Sequence, residues 1–225
     1  VWKPKADIIP KGMFFVETDK DWQHGLLMVT PPLDKRLYEK RHRDITYIID
    51  TSGSMGGGSI SQAKKALRQA LTRLSIADRF NIIAFNSTAS RLFKKAVPAT
   101  TEAIDQADEF IAGLEAFGGT EMMPALEMAL GTTGEENNDR LHQIVFITDG
   151  AVDQEQKLFK LINNQLGERR LFTVAIGSAP NAYFMRKAAQ FGRGSYTFIG
   201  DTQEVSDKME QLFSKMEQVV MTDLH

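Results

Sequence analysis

The sequence predicts an α/β fold: a doubly wound, mostly parallel sheet with helices on both faces. Three observations carry this. From residue 44 onward, apolar runs of strand length alternate with segments whose apolar residues recur at helical spacing, which implies right-handed crossovers and parallel strands. The strand runs are continuously apolar, as strands covered on both faces must be. Finally, 225 residues with 42% hydrophobic and 25% charged composition suffice for one large domain, or a domain with an appendage. A chain of that size needs no disulfide or structural metal to fold.

Residues 1–43 stand apart from this pattern. Residues 13–17 and 26–30 are short apolar runs of strand length, separated by polar residues 18–24. Pro31 and Pro32 end the second run, because proline cannot donate to a sheet ladder. Residues 35–43 hold more basic than acidic side chains and read as a solvated connector, since no basic surface interleaved with aromatics supports nucleic-acid binding elsewhere. Residues 1–43 are therefore expected to be a connector with one or two extra strands.

The alternating part begins with residues 45–49 (ITYII), a buried strand. Ser59 and Gln62 have the spacing of a capping box, with Ser59 at the N-cap, and Ile60, Ala63, Leu67, Ala70, Leu71 and Leu74 continue as a helical face. Residues 79–85 (RFNIIAF) form the second strand, and 91–93 a short edge strand closed by Pro98. Residues 101–114 are helical. Pro124 suits the first turn of the helix that continues over 125–130. Residues 134–139 are a polar loop. Then follow a strand at 144–148, a helix at 154–166, a strand at 171–176, a helix at 181–190 and a strand at 195–199. A last helix over 203–220 carries the stripe Val205, Met209, Leu212, Phe213, Met216 and Val220, which packs on the sheet.

Composition removes several functions. Lys and Arg number 27 against 29 Asp and Glu, a net charge of −2 that argues against a general nucleic-acid or membrane-surface binder. With no cysteine, disulfide frameworks, thiolate zinc sites and cysteine nucleophiles are excluded. Both the cytosol and a bacterial cell surface fit that count. Residues 1–10 lack the apolar core of a signal peptide, and no run of 18 apolar residues occurs. The chain starts without Met, and it reads as a piece of something longer.

Three segments fall where strands should end: Asp50-Thr51-Ser52-Gly53-Ser54 after the first strand, Gly118-Gly119-Thr120 before the helix holding Pro124, and Thr148-Asp149-Gly150 after the strand at 144–148. In an open α/β sheet the carboxyl ends of the strands face one crevice. Asp50 and Asp149 should meet there, with Ser52, Ser54 and Thr120 on the surrounding loops. Two carboxylates and three hydroxyls make an oxygen-only cluster. Without a cation the like charges repel, and a hard divalent ion relieves them. Mg²⁺ prefers six oxygens and keeps several waters. The absence of soft ligands disfavours copper and zinc. The expected arrangement is direct ligation by Ser52 and Ser54, Thr120 joining directly or through water, and Asp50 and Asp149 acting mainly through water. Neutral hydroxyl ligands leave the ion electrophilic, ready to take a partner's carboxylate as its last ligand.

These residues resemble a von Willebrand factor A domain from about residue 44 to 220. Residues 45–55 (ITYIIDTSGSM) are similar to that family's first strand and metal loop, and the Gly118–Thr120 and Thr148–Gly150 segments to its second and third loops. The resemblance implies a metal-ion-dependent adhesion site at Asp50, Ser52, Ser54, Thr120 and Asp149, holding Mg²⁺, with Ca²⁺ or Mn²⁺ as substitutes. It implies a Rossmann-like sheet ordered 3-2-1-4-5-6 with strand 3 antiparallel at the edge. Residues 79–87, 25–32 (GLLMVTPP) and 60–67 (ISQAKKAL) further resemble bacterial relatives of inter-alpha-trypsin inhibitor heavy chains, some of which are sortase-anchored surface proteins. That implies domains at 1–43, a connector to a preceding β domain, and at 44–221. It also implies an extracellular location at a bacterial surface, with the anchor outside this chain.

Other motifs are weaker. Gly56-Gly57-Gly58 precedes a helix, but no Lys-Ser/Thr pair follows as a phosphate loop requires. His24, His42, His142 and His225 are scattered, and His142 starts its strand at the end opposite the crevice, so Ser-His-Asp chemistry has no placed base. Met122 and Met123 serve as core or as a soft border to a partner surface. The expectation is a cation-dependent adhesion or protein-binding module, not an enzyme, monomeric, binding a carboxylate and no nucleic acid. The alternatives are a hydrolase or phosphoryl-transfer enzyme using the same ion, which needs a general base or second cation beside it, and a purely structural domain.

Overall fold

The computed structural model describes residues 11–20, 22–30, 41–131, 140–149, 155–177 and 180–217. The chain divides into two compact units, residues 1–40 and 41–225.

In the first unit, β1 (Lys11–Asp19) pairs antiparallel with β2 (Trp22–Thr30) in an unbroken register from Lys11 opposite Thr30 to Asp19 opposite Trp22. Lys20 takes a φ of 51° in the tight connection. Both strands are longer than the apolar runs at 13–17 and 26–30, and they absorb most of the polar stretch expected to separate them. Among the described residues no second layer covers this two-stranded ribbon, and Phe14, Phe15, Trp22, Leu26 and Leu27 are exposed.

The second unit is built on a seven-stranded sheet. Its strands are β3 (Arg43–Asp50), β4 (Arg79–Phe85), β5 (Ala89–Arg91), β6 (Val97–Pro98), β7 (Leu141–Thr148), β8 (Arg170–Ile176) and β9 (Arg193–Ile199). The spatial order is β5-β4-β3-β7-β8-β9, with β6 also paired to β4. Pairs β3–β4, β3–β7, β7–β8 and β8–β9 are parallel, and β5 is antiparallel at the edge. This is the 3-2-1-4-5-6 order that the resemblance implies.

The continuous apolar runs fill both faces. Ile45, Tyr47 and Ile49 point with Val145, Ile147, Phe172 and Val174 into a core closed by α1 (Gly58–Leu71), α2 (Thr101–Ala112) and α6 (Val205–Met216). Ile48, Ile83, Phe85, Ile144, Phe146 and Ala175 point the other way, under α3 (Met122–Leu130), α4 (Glu155–Gln165) and α5 (Ala182–Phe191). At the far edge, β9 lies so close to β8 that a Cβ on Gly194 would meet the carbonyl oxygen of Leu171 at 2.0 Å, so only glycine fits there.

Three expectations require correction. Ser59 does not cap α1: the helix starts at Gly58 with Gly57 at the N-cap and no side-chain cap bond. Gly57 has a φ of 71°, a left-handed entry that replaces the capping box, and Gln62 reaches Thr202 Oγ1 (3.4 Å) instead. The edge strand lies at Ala89–Arg91, two residues earlier than 91–93, because the Asn81 side chain takes over the pairing: its Nδ2 donates to Phe93 O (2.8 Å) and its Oδ1 accepts from Phe93 N (3.1 Å). Pro98 does not close that strand but pairs with Arg79 as part of β6. Pro124 does lie in the first turn of its helix, which begins at Met122. The polar loop at 134–139 and Val220 of the terminal stripe lie outside the described residues.

Candidate functional site

The site grows from the carboxyl ends of β3 and β7, adjacent parallel strands in which Ile49 stands opposite Ile147. Asp50 is the last residue of β3 and is completely buried. Its Oδ1 accepts from Ser52 N (2.8 Å), the tight Asp-x-Ser turn expected when an Asp side chain bonds the backbone two residues on. Its Oδ2 accepts from Thr148 Oγ1 (2.6 Å), at the end of the neighbouring strand. The chain then enters a short 3-10 turn, Gly53–Met55, whose Met55 side chain is buried in the core and fixes the loop. On this turn Ser52 Oγ and Ser54 Oγ lie 3.0 Å apart. Ser52 is buried and Ser54 exposed, so the pair marks the path from the interior to the surface.

The loop joining α2 to α3 lies alongside. Gly53 N donates to Gly118 O (3.0 Å), and Phe117 N donates to Thr51 O (2.9 Å). Gly118 adopts a φ of 77°, a left-handed conformation that suits glycine. Thr120 is held between two anchored neighbours: Gly119 N donates to Ser87 Oγ (2.8 Å), and Glu121 N donates to Asn86 O (2.7 Å). Asp149 follows β7 directly, one residue beyond the Thr148 that touches Asp50. The five residues singled out from the sequence thus sit on three adjoining segments at one end of the sheet. Asp50, Ser52 and Ser54 are joined by hydrogen bonds, Asp149 bears on Asp50 electrostatically, and Thr120 is placed by its neighbours.

Burial pushes the Asp50 carboxyl up. The hydrogen bonds from Thr148 and Ser52 pull in the opposite direction, the charge of Asp149 adds to the rise, and the net shift is upward. No Lys, Arg or His forms an ion pair with Asp50 among the described residues. A buried carboxylate with no cationic side chain beside it, an acidic neighbour and two hydroxyls within reach is a donor set that fits a hard divalent ion. Among the described residues no three His, Asp or Glu side chains converge to hold a metal, so an ion here would depend on the hydroxyls.

Two supporting residues escaped the sequence reading. Thr148 orients Asp50; its signal was its place in the Thr148-Asp149-Gly150 segment, next to Asp50 once β3 and β7 are paired. Ser87 holds the Gly119 backbone, and its signal was an Asn-Ser pair just past the end of β4. His142 is the second residue of β7 and so lies at the opposite end of the sheet.

With this geometry in place, comparison with other proteins adds the following. Residues 43–198 match the family described as von Willebrand factor type A domain. Inter-alpha-trypsin inhibitor heavy chain H4 from Homo sapiens is 28% identical over 191 residues, covering 80% of this chain and 20% of that protein. A solved von Willebrand factor type A structure from Catenulispora acidiphila superposes with a TM-score of 0.71 at 20% identity, over 96% of this chain and 52% of that one. A manganese-loaded TRAP protein of Plasmodium vivax superposes with a TM-score of 0.62 at 20% identity, over 77% of this chain and 74% of that one. The chain spans about a fifth of the length of the curated relatives it matches.

Proposed function

Because this chain belongs to the von Willebrand factor type A domain family, we propose that it is a divalent-cation-dependent binding module in which Asp50, Ser52, Ser54, Thr120 and Asp149 hold the ion. The observation that carries this reading is the buried Asp50 carboxylate, which takes hydrogen bonds from Ser52 and Thr148 but has no ion-pair partner among the described residues. Ser52 and Ser54 would ligate directly, with Thr120 direct or through water. The two aspartates would supply charge mainly through water, since both Asp50 oxygens already accept a protein hydrogen bond. The ion is Mg²⁺ by hardness, and Ca²⁺ or Mn²⁺ offers similar oxygen chemistry. The manganese carried by the structurally similar TRAP protein supports such an ion in this fold. Its open position would take a carboxylate from a protein or surface ligand.

The module reading is preferred over a hydrolase using the same ion. His142 stands at the far end of the sheet, and no third carboxylate or imidazole converges with Asp50 and Asp149 among the described residues. Residues 1–43 are proposed as the connector to a preceding β domain, and the protein as a component of a bacterial surface. The resemblance to bacterial relatives of the inhibitor heavy chains supports both. No helix of the described residues is long and apolar enough to cross a membrane.

A thermal scan tests the ion. Mg²⁺ at 100 times its dissociation constant should add about 2.7 kcal/mol to the fold, roughly 5–10 °C in melting temperature. Asp50→Ala should keep the circular dichroism of the fold and lose the metal response. Equal melting of the parent in Mg²⁺, Ca²⁺, Mn²⁺ and EDTA would defeat the proposal.

A further inference from the structure

Bonded through its backbone to the loop that carries Ser52 and Ser54 is an aromatic residue whose side chain the core does not use. Phe117, on the loop joining α2 to α3, is 63% exposed. Its backbone is held on both sides of the hydroxyl loop, through Phe117 N to Thr51 O and Gly53 N to Gly118 O, while Ser87 Oγ holds Gly119. Thr51 and Gly53 flank Ser52, so Phe117 is fixed next to the buried hydroxyl. The preceding Ala116 packs against the core and anchors the loop from below. Exposed Phe191 leans on Phe159 at 5.4 Å between ring centroids, whereas Phe117 has no ring contact among the described residues. A large aromatic on a pinned backbone loses little freedom on binding, and such residues dominate the energetics of protein contacts.

The charge around it is mainly acidic. The described residues of the loops at the carboxyl ends of the parallel strands, with the α2–α3 loop, include Asp50, Glu115, Glu121, Asp149, Asp201 and Glu204 and no Lys or Arg, while Lys64 and Lys65 of α1 reach their margin at Ala112 O (2.9 Å) and Thr202 O (3.1 Å). Asp50 and Asp149 alone balance a divalent ion. The remaining acids then repel a partner of general negative charge and attract one whose carboxylate sits among basic groups.

We infer that the partner is a polypeptide segment whose metal-binding carboxylate side chain has an apolar side chain on one side and a basic one on the other, and that Phe117 receives the apolar neighbour. This rests on the cation reading above. The test uses immobilised peptides carrying Leu-Glu-Lys, Ser-Glu-Lys or Leu-Glu-Glu between glycine spacers, probed with the 225-residue chain in Mg²⁺ or EDTA. The expected result is Mg²⁺-dependent capture, with Leu-Glu-Lys retained about tenfold more than either other peptide. Phe117→Ser should lose the preference for Leu over Ser, while keeping the preference for Lys and the metal-dependent melting. If melting responds to Mg²⁺ but no peptide is captured, or Leu and Ser peptides are captured equally, the inference is overturned and the cation reading stands. A Phe117→Ser variant that keeps the Leu preference overturns the inference in the same way. Melting that ignores the metal overturns both.

Discussion

Asp50 and Asp78 are buried at opposite ends of the same sheet, with 0% and 2% of their surface exposed, and their surroundings treat them in opposite ways. Asp78 lies just before β4. Its Oδ2 accepts from Arg43 Nη2 (2.7 Å), Ser75 N (2.9 Å) and Ser75 Oγ (3.0 Å), and its Oδ1 from Arg43 N (2.9 Å). Burial alone would raise its pKa, but the Arg43 guanidinium and the backbone N–H groups outweigh burial and bring it to about 2. Asp50 is as fully enclosed, but it has fewer donors and an acidic neighbour, and its pKa goes up. The fold therefore neutralises one buried charge with its own side chain, while the other has no ion pair among the described residues. The two ends differ more widely in the same sense. Arginines collect at the end where strands begin and helices finish, and they donate to backbone carbonyls there: Arg79 to Ala96, Arg140 to Ala77, Arg169 to Gln165 and Arg193 to Gly167. Of these carbonyls, Gln165 O closes α4 and Gly167 O lies just past it, where a helix leaves carbonyls without partners and cations suit them. The loops at the other end carry mainly carboxylates, with Lys64 and Lys65 reaching only Ala112 O and Thr202 O at their margin.

The sharpest way to break this contrast is to remove the protein's own counter-ion. Arg43→Met leaves Asp78 buried and without its guanidinium, and should cost about 3–5 kcal/mol, on the order of 10 °C in melting temperature, by denaturant and thermal unfolding. The double variant Arg43→Met, Asp78→Leu should recover only part of that loss: it removes the stranded charge, but Ser75 N and Arg43 N lose their acceptor. If Arg43→Met melts like the parent, the pair contributes nothing and the contrast with Asp50 loses its meaning.

A smaller effect follows from protonation. The pKa of Asp78 is depressed in the folded state, so its contribution is fully present above the unfolded carboxylate range and is lost as pH falls through about 2. The stability difference between the parent and Asp78→Asn should therefore shrink by about 2 kcal/mol between pH 5 and pH 2, measured by urea unfolding at each pH. A difference that stays constant over that range would mean that Asp78 acts as a hydrogen-bond acceptor and not as a charge.

How far these features could be read in the sequence depended on what each element buries. The strand at 79–85 was legible to the residue, because helices cover it on both faces and its run is apolar from Phe80 to Phe85 apart from Asn81. The segments bearing Asp50 and Asp149 followed from similar runs, whereas the sheet order was implied only by the resemblance to the von Willebrand factor A family. The hairpin was legible only at its apolar centres: among the described residues nothing buries a face of β1 or β2, so polar Thr18 and Gln23 sit in strand with nothing in the pattern to mark them. The edge strand moved because a side chain, Asn81, stands in for the ladder, and no periodicity records that. The start of α1 was misread because a glycine dihedral, not a hydroxyl, sets it. Thr148 became visible as a partner of Asp50 only through strand pairing. The salt bridge between Arg43 and Asp78 joins residues 35 apart whose types alone gave no sign of each other.

The smallest expected effect separates the two aspartates most directly. Asp50→Asn keeps the shape of the side chain and removes its charge. Ser52 N can still donate to the amide oxygen, and the Thr148 hydroxyl can turn to accept from the amide nitrogen. With EDTA present, the loss of an unbalanced buried charge next to Asp149 should offset the weaker hydrogen bonds, leaving Asp50→Asn within about 1 kcal/mol of the parent or above it. Asp78→Asn should instead be destabilised with and without metal, since its loss strands Arg43. In excess Mg²⁺ the order should widen in one place only: the parent should rise and Asp50→Asn should not. Unfolding of the three proteins in EDTA and in Mg²⁺ reads all of this at once. If Asp50→Asn in EDTA proves as damaging as Asp78→Asn, the Asp50 carboxylate is needed as a charge by the protein itself, and a cation beside it has no physical basis.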